Sequence, residues 1–306
     1  MAIKYFTYKD IDKTKWDACV INAHNSLIYV HSFYLDNCTN KNWDALILND
    51  YEAVLPITFR KKIGIKYLYQ PAFLQQAGIF SANVLSKELI NEFILLLMSK
   101  FKFAEINFNY ATEVYNTKLL NVTNKNNFII SLHKNIGALF FSCNDNFKKN
   151  VKRASNNFFE YIQSDNVEEA IFFYKDLYHK KMHSLTSTDY KALILNATYL
   201  QKQNNLIIRN IYYNNIKYAT IVLLKYNNRL YNVASSVTID GRKLRANYFL
   251  FYKVMEEFSN QNLILDFEGS DIDGIASFYQ SMNPINQHYF FVKYNNLPWY
   301  IKFFKR

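Results

Sequence analysis

Two apolar runs, 45–48 (ALIL) and 53–59 (AVLPITF), flank Asn49-Asp50. Asn and Asp tolerate turn geometry, so the pattern predicts a β-hairpin. A second pair of runs, 206–213 (LIIRNIYY) and 216–226 (IKYATIVLLKY), flanks Asn214-Asn215, 165 positions further on (214 against 49). After the first hairpin, Ser86 stands at an N-cap position before the helical run SKELINEFILLLMSKF, and a short strand, 103–108 (FAEINF), follows. After the second, a strand at 229–237 (RLYNVASSV) leads to a helix over 244–260, with Leu244, Tyr248, Phe251, Met255 and Phe258 three or four apart. A strand at 263–267 (LILDF) closes that series. Helix starts differ by 158 (244 against 86) and strand starts by 160 (263 against 103).

Three features at nearly one offset predict a duplicated αβ unit. The competing explanation is coincidence, since hairpin, helix and strand often follow in that order. The expected fold is α/β (α+β) in two tandem halves, 1–144 and 145–306. Each half would be a mixed, mostly antiparallel sheet flanked by helices.

Between the halves lies DNFKKNVKRASN (145–156). Phe147, Val151, Ala154 and Phe158 recur at helical spacing, while Lys148/Lys152 and Lys149/Arg153 pair on the opposite side, which predicts an amphipathic helix with a basic face. Two more helices are expected over 167–185 and 189–203.

Local chemistry concentrates after residue 237. The loop TIDGRK before the 244–260 helix contains Gly241, which permits a tight turn, and Arg242, Lys243 and Arg245 add positive charge. A helix N-terminus with unpaired N–H groups suits a phosphate; the plain alternative is a strand-to-helix turn with a solvated basic face. In 263–283, Asp266 and Glu268 lie two apart on a strand and share a side. They either orient an amine or act as a base, or simply cap the turn. Tyr279 follows on a helix with Ile275, Phe278 and Met282.

Composition removes several classes. The chain has 306 residues, half of them hydrophobic and 18% aromatic, which excludes disorder as its overall state. Cys19, Cys38 and Cys143 are too few for a disulfide framework or a zinc ribbon. The most apolar run, Phe93–Met98, is far shorter than the roughly 20 residues of a membrane span, and the N-terminus is charged where a signal peptide is apolar. A cytoplasmic protein is expected. HEXXH, Walker A, GxSxG and GxGxxG are absent, and His179/His183 lack a third ligand, so no metal is expected. The net charge of +11 favours polyanionic partners. Lys carries most of it, since only seven of the 36 basic residues are Arg, and a Lys/Asn/Ile/Tyr-rich composition also arises from AT-rich coding without a ligand.

The order hairpin, strand, loop, long helix, strand, helix over 206–283 resembles the core of the GCN5-related N-acetyltransferase (GNAT) superfamily. IASFYQSMNP (275–284) resembles the helix that carries the tyrosine donating a proton to the leaving thiolate, with Met282-Asn283 in place of the usual Gly-Phe. Across the chain, LPITFRKKIGIKYLYQPAFLQQAGIFS (55–81), NFKKNVKRASNN (146–157) and NYFLFYKVMEEF…LDFEGSDIDGIASFYQSM resemble the tandem-GNAT, FemAB-like branch, which includes the Fem peptidoglycan-peptide aminoacyltransferases. Phe278-Tyr279 stands near where Fem enzymes often have Phe-Lys.

The resemblance implies two GNAT-like domains and direct acyl or aminoacyl transfer to an amine without a covalent enzyme intermediate. The donor would be acyl-CoA or aminoacyl-tRNA. The acceptor would be an amine-bearing small molecule or a cell-wall precursor. Tyr279 is implied as leaving-group acid and Asp266 or Glu268 as amine-orienting groups or base. Gly241, Arg242, Lys243 and Arg245 would hold the donor phosphates, and Lys148, Lys149, Lys152 and Arg153 would extend a basic track toward tRNA. A non-catalytic binding module on the same fold is the alternative.

Overall fold

The computed structural model describes residues 2–62, 64–179, 184–269 and 271–299. The chain forms two compact units, one of residues 1–125 with 288–306 and one of 126–287.

The first unit opens with β1 (Ile3–Phe6), α1 (Lys13–Asn22) and α2 (Ser32–Thr39). The predicted hairpin follows as β2 (Trp43–Leu48) and β3 (Ala53–Lys62), paired antiparallel from Trp43↔Thr58 to Leu48↔Ala53. Asn49 and Tyr51 take the left-handed conformation in its turn. After β4 (Ile65–Tyr69) and β5 (Phe80–Ser81), Ser86 caps α3 (Lys87–Lys100) by accepting from the Leu89 N–H at 3.3 Å. Ile90, Phe93, Ile94 and Leu97 turn one stripe of α3 into the core. Then come β6 (Phe103–Phe108), as expected, and β7 (Leu120–Lys125). The first unit's sheet is completed by the strand Tyr289–Asn295, antiparallel to both β6 and β7. Strand β4 runs parallel to β6 at Leu68↔Ala104 and Tyr69↔Glu105. Past Tyr69 the chain stays joined to the β6 backbone at Asn107: Gln70 Oε1 accepts from its N–H at 2.8 Å, and the Ala77 N–H donates to its carbonyl at 2.9 Å.

The second unit begins with β8 (Phe128–Ser131), α4 (Ile136–Ser142), α5 (Asp145–Ala154) and β9 (Glu160–Ser164). Helices α6 (Val167–Tyr178) and α7 (Ser187–Gln201) precede the second hairpin, β10 (Leu206–Tyr213) and β11 (Ile216–Tyr226). Asn214 and Asn215 both have positive φ, 49° and 62°, the geometry that a two-residue hairpin turn demands. Strand β12 (Arg229–Val237), the short α8 (Ile239–Lys243), α9 (Ala246–Phe258), β13 (Ile264–Asp266), α10 (Asp273–Gln280) and β14 (Ile285–Asn286) complete it, and Tyr289–Asn295 is β15. The sheet order is β14-β8-β13-β12-β11-β10-β9, with β12 and β13 parallel and its other pairs antiparallel. Both units thus place a long helix before a strand that runs parallel to an earlier one. This is the duplication that the offsets predict.

Three boundaries differ from expectation. The division falls at 125/126 instead of 144/145, because Phe128, Ile130, Leu132 and Leu139 are buried in the second core. The last strand rejoins the first unit because its ladder partners are β6 and β7. The helix expected from 244 is broken at Arg245, whose φ of +67° separates α8 from α9. Phe158 also departs from its expected place on the basic helix: it follows a 3-10 turn in left-handed conformation and is exposed. No described helix is long and apolar enough to cross a membrane.

Candidate functional site

Strand β12 has nine residues, but β13 pairs with only the first three, Arg229↔Ile264 through Tyr231↔Asp266. From Asn232 onward, among the described residues, β12 is laddered to β11 alone, so the sheet parts along a seam. A bulge sits at the same point: Asn232 faces Leu223 and Ala234 faces Val222, leaving Val233 as the extra residue. The first unit shows no such parting at its parallel pair, since residues 70–77 keep to β6.

Tyr279 of α10 stands at this seam. Its ring stacks on Phe267 with centroids 4.5 Å apart and planes at 21°. Its hydroxyl accepts from Asn232 Nδ2 at 3.3 Å. Burial pushes the phenol up to about 12, with the neighbouring Tyr178 and Glu268 acting in the same direction against hydrogen bonds from Ser235 and Asn232. The side chain therefore carries its proton across the physiological range. Glu268, half-buried with φ +62° in the turn after β13, is close enough to influence both Tyr279 and Tyr174.

Asp266 does different work. It is fully buried, its Oδ2 accepts from Arg229 Nη1 at 2.7 Å and Asn127 Nδ2 at 3.4 Å, and its Oδ1 accepts from the Glu268 N–H at 2.9 Å. Arg229 also donates to Gln287 at 3.0 Å. A carboxylate whose two oxygens are so engaged anchors the point where the strands separate, and the Asp266 expected as amine-orienting group or base has both oxygens occupied within the protein. Asp266→Ala is expected to lower unfolding free energy by about 3–5 kcal/mol, since it strands a buried guanidinium. Urea denaturation checks this; an unchanged midpoint with lost turnover would return Asp266 to the chemistry.

A second feature adjoins the start of α9. A cavity of about 590 Å³ is lined by Asn146, Lys149, Asn150, Arg153, Arg242, Arg245, Asn247 and Tyr248. Among the described residues, four cations and no carboxylate line it. They come from two elements that the sequence singled out separately, the basic face of α5 and the loop before α9. Helix α5 is set by Asn144, whose side chain accepts from the Phe147 N–H at 2.9 Å, and by Phe147, Val151 and Ala154, which are buried beneath it. Lys149 and Arg153 then face the cavity. Lys148, over the Phe141 ring and 4.0 Å from Asp145, and Lys152 are not among its lining.

The loop residues divide the work. The Gly241 N–H donates to Thr238 Oγ1 at 2.9 Å and is spent as a cap. A Cβ on Gly241 would lie 2.8 Å from the Tyr218 carbonyl oxygen, so glycine is required there for close approach to β11. Lys243 pairs with Asp240 at 2.8 Å and is not among the cavity lining. Arg245 donates through Nε to Asn150 Oδ1 at 2.8 Å and through Nη1 to the carbonyls of Arg242 and Lys243, both at 2.9 Å. It holds the loop against α5 while lending its charge. Arg242 is exposed and donates to the Tyr178 hydroxyl at 3.0 Å, which joins the basic cavity to the tyrosines near the seam.

No family model and no curated protein matches the chain. Among solved structures, a crystal structure of FemX superposes with a TM-score of 0.65 over 99% of both chains, at 12% identity. The chain has the tandem GNAT-like fold of FemX. A conserved protein of unknown function from Bacteroides thetaiotaomicron follows at TM-score 0.59 and 11% identity, covering 96% of this chain and 99% of that one. The C-terminal domain of a putative lysylphosphatidylglycerol synthetase from Agrobacterium fabrum reaches 0.51 at 9% identity, over 83% and 84%.

Within this FemX-like fold, the predicted Arg242, Arg245, Lys149 and Arg153 line one cavity of the second unit, while Tyr279 stands apart from that lining, at the seam. Sequence reasoning missed Asn146, Asn150, Asn247, Tyr178, Asn232 and Ser235. Asn232 left a signal, a carboxamide inside an otherwise buried strand, where a polar group needs a partner. Tyr178 left none among so many tyrosines. Burial pushes the Cys19 and Cys143 thiols up to about 11, against a thiolate nucleophile. No metal-binding group of three His, Cys, Asp or Glu occurs among the described residues; His183 lies outside them.

Proposed function

We propose that the chain is an N-acyltransferase that moves an acyl or aminoacyl group from a phosphate-bearing donor directly to an amine. The observation that carries this is the four-cation cavity at the start of α9, joined through Arg242 and Tyr178 to the seam where Tyr279 sits. Its volume falls in the range of small-molecule sites, and its charge suits the phosphates of acyl-CoA or of a tRNA terminus. The resemblance to the FemAB-like branch extends the acceptor to an amine-bearing small molecule or cell-wall precursor.

In the reaction the amine nitrogen attacks the donor carbonyl carbon. A C–N bond forms and the C–S or C–O bond to the donor breaks. Tyr279 gives its proton to the leaving sulfur or oxygen, and the surplus ammonium proton returns to the phenolate, so the enzyme ends unchanged. Glu268, in the turn after β13 and close enough to influence Tyr279, draws the amine in.

A tRNA donor is favoured by one separate feature: Lys148 and Lys152 continue the basic face of α5 outside the cavity. Calorimetric titration with acetyl-CoA and with aminoacyl-tRNA, at two salt concentrations, decides. Acyl-CoA binding that needs Lys149 and Arg242 supports the compact donor. Aminoacyl-tRNA binding with a log–log salt slope of about −3 or steeper supports the larger one, about four or more phosphate contacts releasing their counterions. Failure of both to bind overturns the transferase reading and leaves the non-catalytic module.

A further inference from the structure

Asn232 occupies the first position of β12 beyond its pairing with β13, next to the bulge. Only 5% of the residue is exposed. Both protons of its carboxamide are engaged: Nδ2 donates to the Tyr279 hydroxyl and to Ser235 Oγ, each at 3.3 Å. Its Oδ1 is buried and has no hydrogen-bond partner among the described residues. A buried carbonyl oxygen without a donor is unfavourable by about 1–3 kcal/mol, and such groups mark places completed by something outside the protein. This one lies beside the side chain proposed as leaving-group acid.

We infer that Asn232 is the group that orients the acceptor amine, its Oδ1 accepting an N–H from the attacking nitrogen. The inference rests on the acyl-transfer reading and names the residue that holds the nucleophile. An amide oxygen can only accept. Of the atoms that meet in acyl transfer, the carbonyl oxygen and the leaving sulfur or oxygen are acceptors themselves, and the amine alone brings hydrogens. The same side chain, through Nδ2, fills an acceptor site on the Tyr279 oxygen and leaves the phenolic proton for the leaving group. One planar carboxamide thus sets nucleophile and acid at its two ends, a fixed geometry of the kind that lowers the entropic part of the barrier. Asn232 takes no proton in the cycle.

The test uses glycinamide, a small primary amine, titrated into the full chain labelled with 15N. The side-chain amide resonance of Asn232 is assigned by its disappearance in Asn232→Asp. The expected result is a saturable shift of that resonance. Asn232→Leu, which removes the acceptor, is expected to weaken glycinamide binding about 10- to 100-fold. Asn232→Asp, which keeps an acceptor oxygen, is expected to retain it, and donor affinity is expected to stay within about twofold in both variants. No saturable shift in the wild-type chain, or equal amine affinity in Asn232→Leu, overturns the inference. The wild-type titration decides even if the leucine variant fails to fold. A donor that binds while glycinamide ignores Asn232 sinks this inference alone. Glycinamide that needs Asn232 in a chain that binds no donor sinks the acyl-transfer reading and leaves the amine site standing.

Discussion

Lys149→Glu combined with Arg242→Glu is expected to weaken donor binding by about 100-fold at low salt, with the deficit shrinking as salt rises. The two residues contribute two of the four cations in the cavity's described lining, one from α5 and one from α8, and both are exposed. Each reversal replaces an attraction for phosphate with a repulsion, and interactions at exposed positions are screened over a Debye length of about 8 Å at physiological ionic strength. Neither side chain braces the loop. Arg245 would be a poor target, because three of its hydrogen bonds brace the loop, and reversing it would test folding. Arg242 donates instead to Tyr178, and Lys149 lies on the solvent side of α5. Calorimetry against the donor, with thermal unfolding as the control, measures the effect. Unchanged affinity in a folded double variant would remove the cavity from donor recognition.

Tyr279→Phe is expected to lower kcat by about 10²- to 10⁴-fold, the usual contribution of a positioned general acid, with donor affinity unchanged. The phenyl ring keeps its stack on Phe267, so the loss falls on the proton. The pH dependence has a definite sign. An ordinary tyrosine ionises near pH 10, whereas Tyr279 holds its proton to about 12. Activity carried by Tyr279 therefore shows no basic limb from this group near pH 10. The same shift is a stability statement. Below pH 10 the group is neutral in both the folded and unfolded chain. Between about 10 and 12 only the unfolded chain releases the proton, so folding stability falls with rising pH across that window. Turnover of Tyr279→Phe equal to wild type, with donor bound, would take Tyr279 out of the mechanism.

Much of the architecture is legible in the sequence. The Asn49-Asp50 and Asn214-Asn215 turns, the Ser86 cap and the strands 103–108 and 229–237 appear where hydrophobic period and turn chemistry put them. These are local decisions, set by backbone preference and by which face an element must bury. The domain boundary was not legible. Residues 128–131 and 289–295 are short apolar strands, and a strand's partner depends on ladder pairing across more than a hundred residues of chain, which no local pattern records. The break at Arg245 was hidden for a similar reason: an arginine accepts left-handed backbone there because Asn150, 95 positions earlier, holds its guanidinium.

The sequence by itself determined the duplicated αβ order, the basic face of α5, the charged loop before α9 and the tyrosine on α10, because periodicity, capping and charge are written residue by residue. Only the tertiary structure decided that α5 and the loop share one cavity, that Asp266 is consumed by Arg229, and that Asn232 sits with a bare oxygen where β12 and β13 part. Each of these is a relation between side chains distant in sequence, fixed by burial and strand pairing.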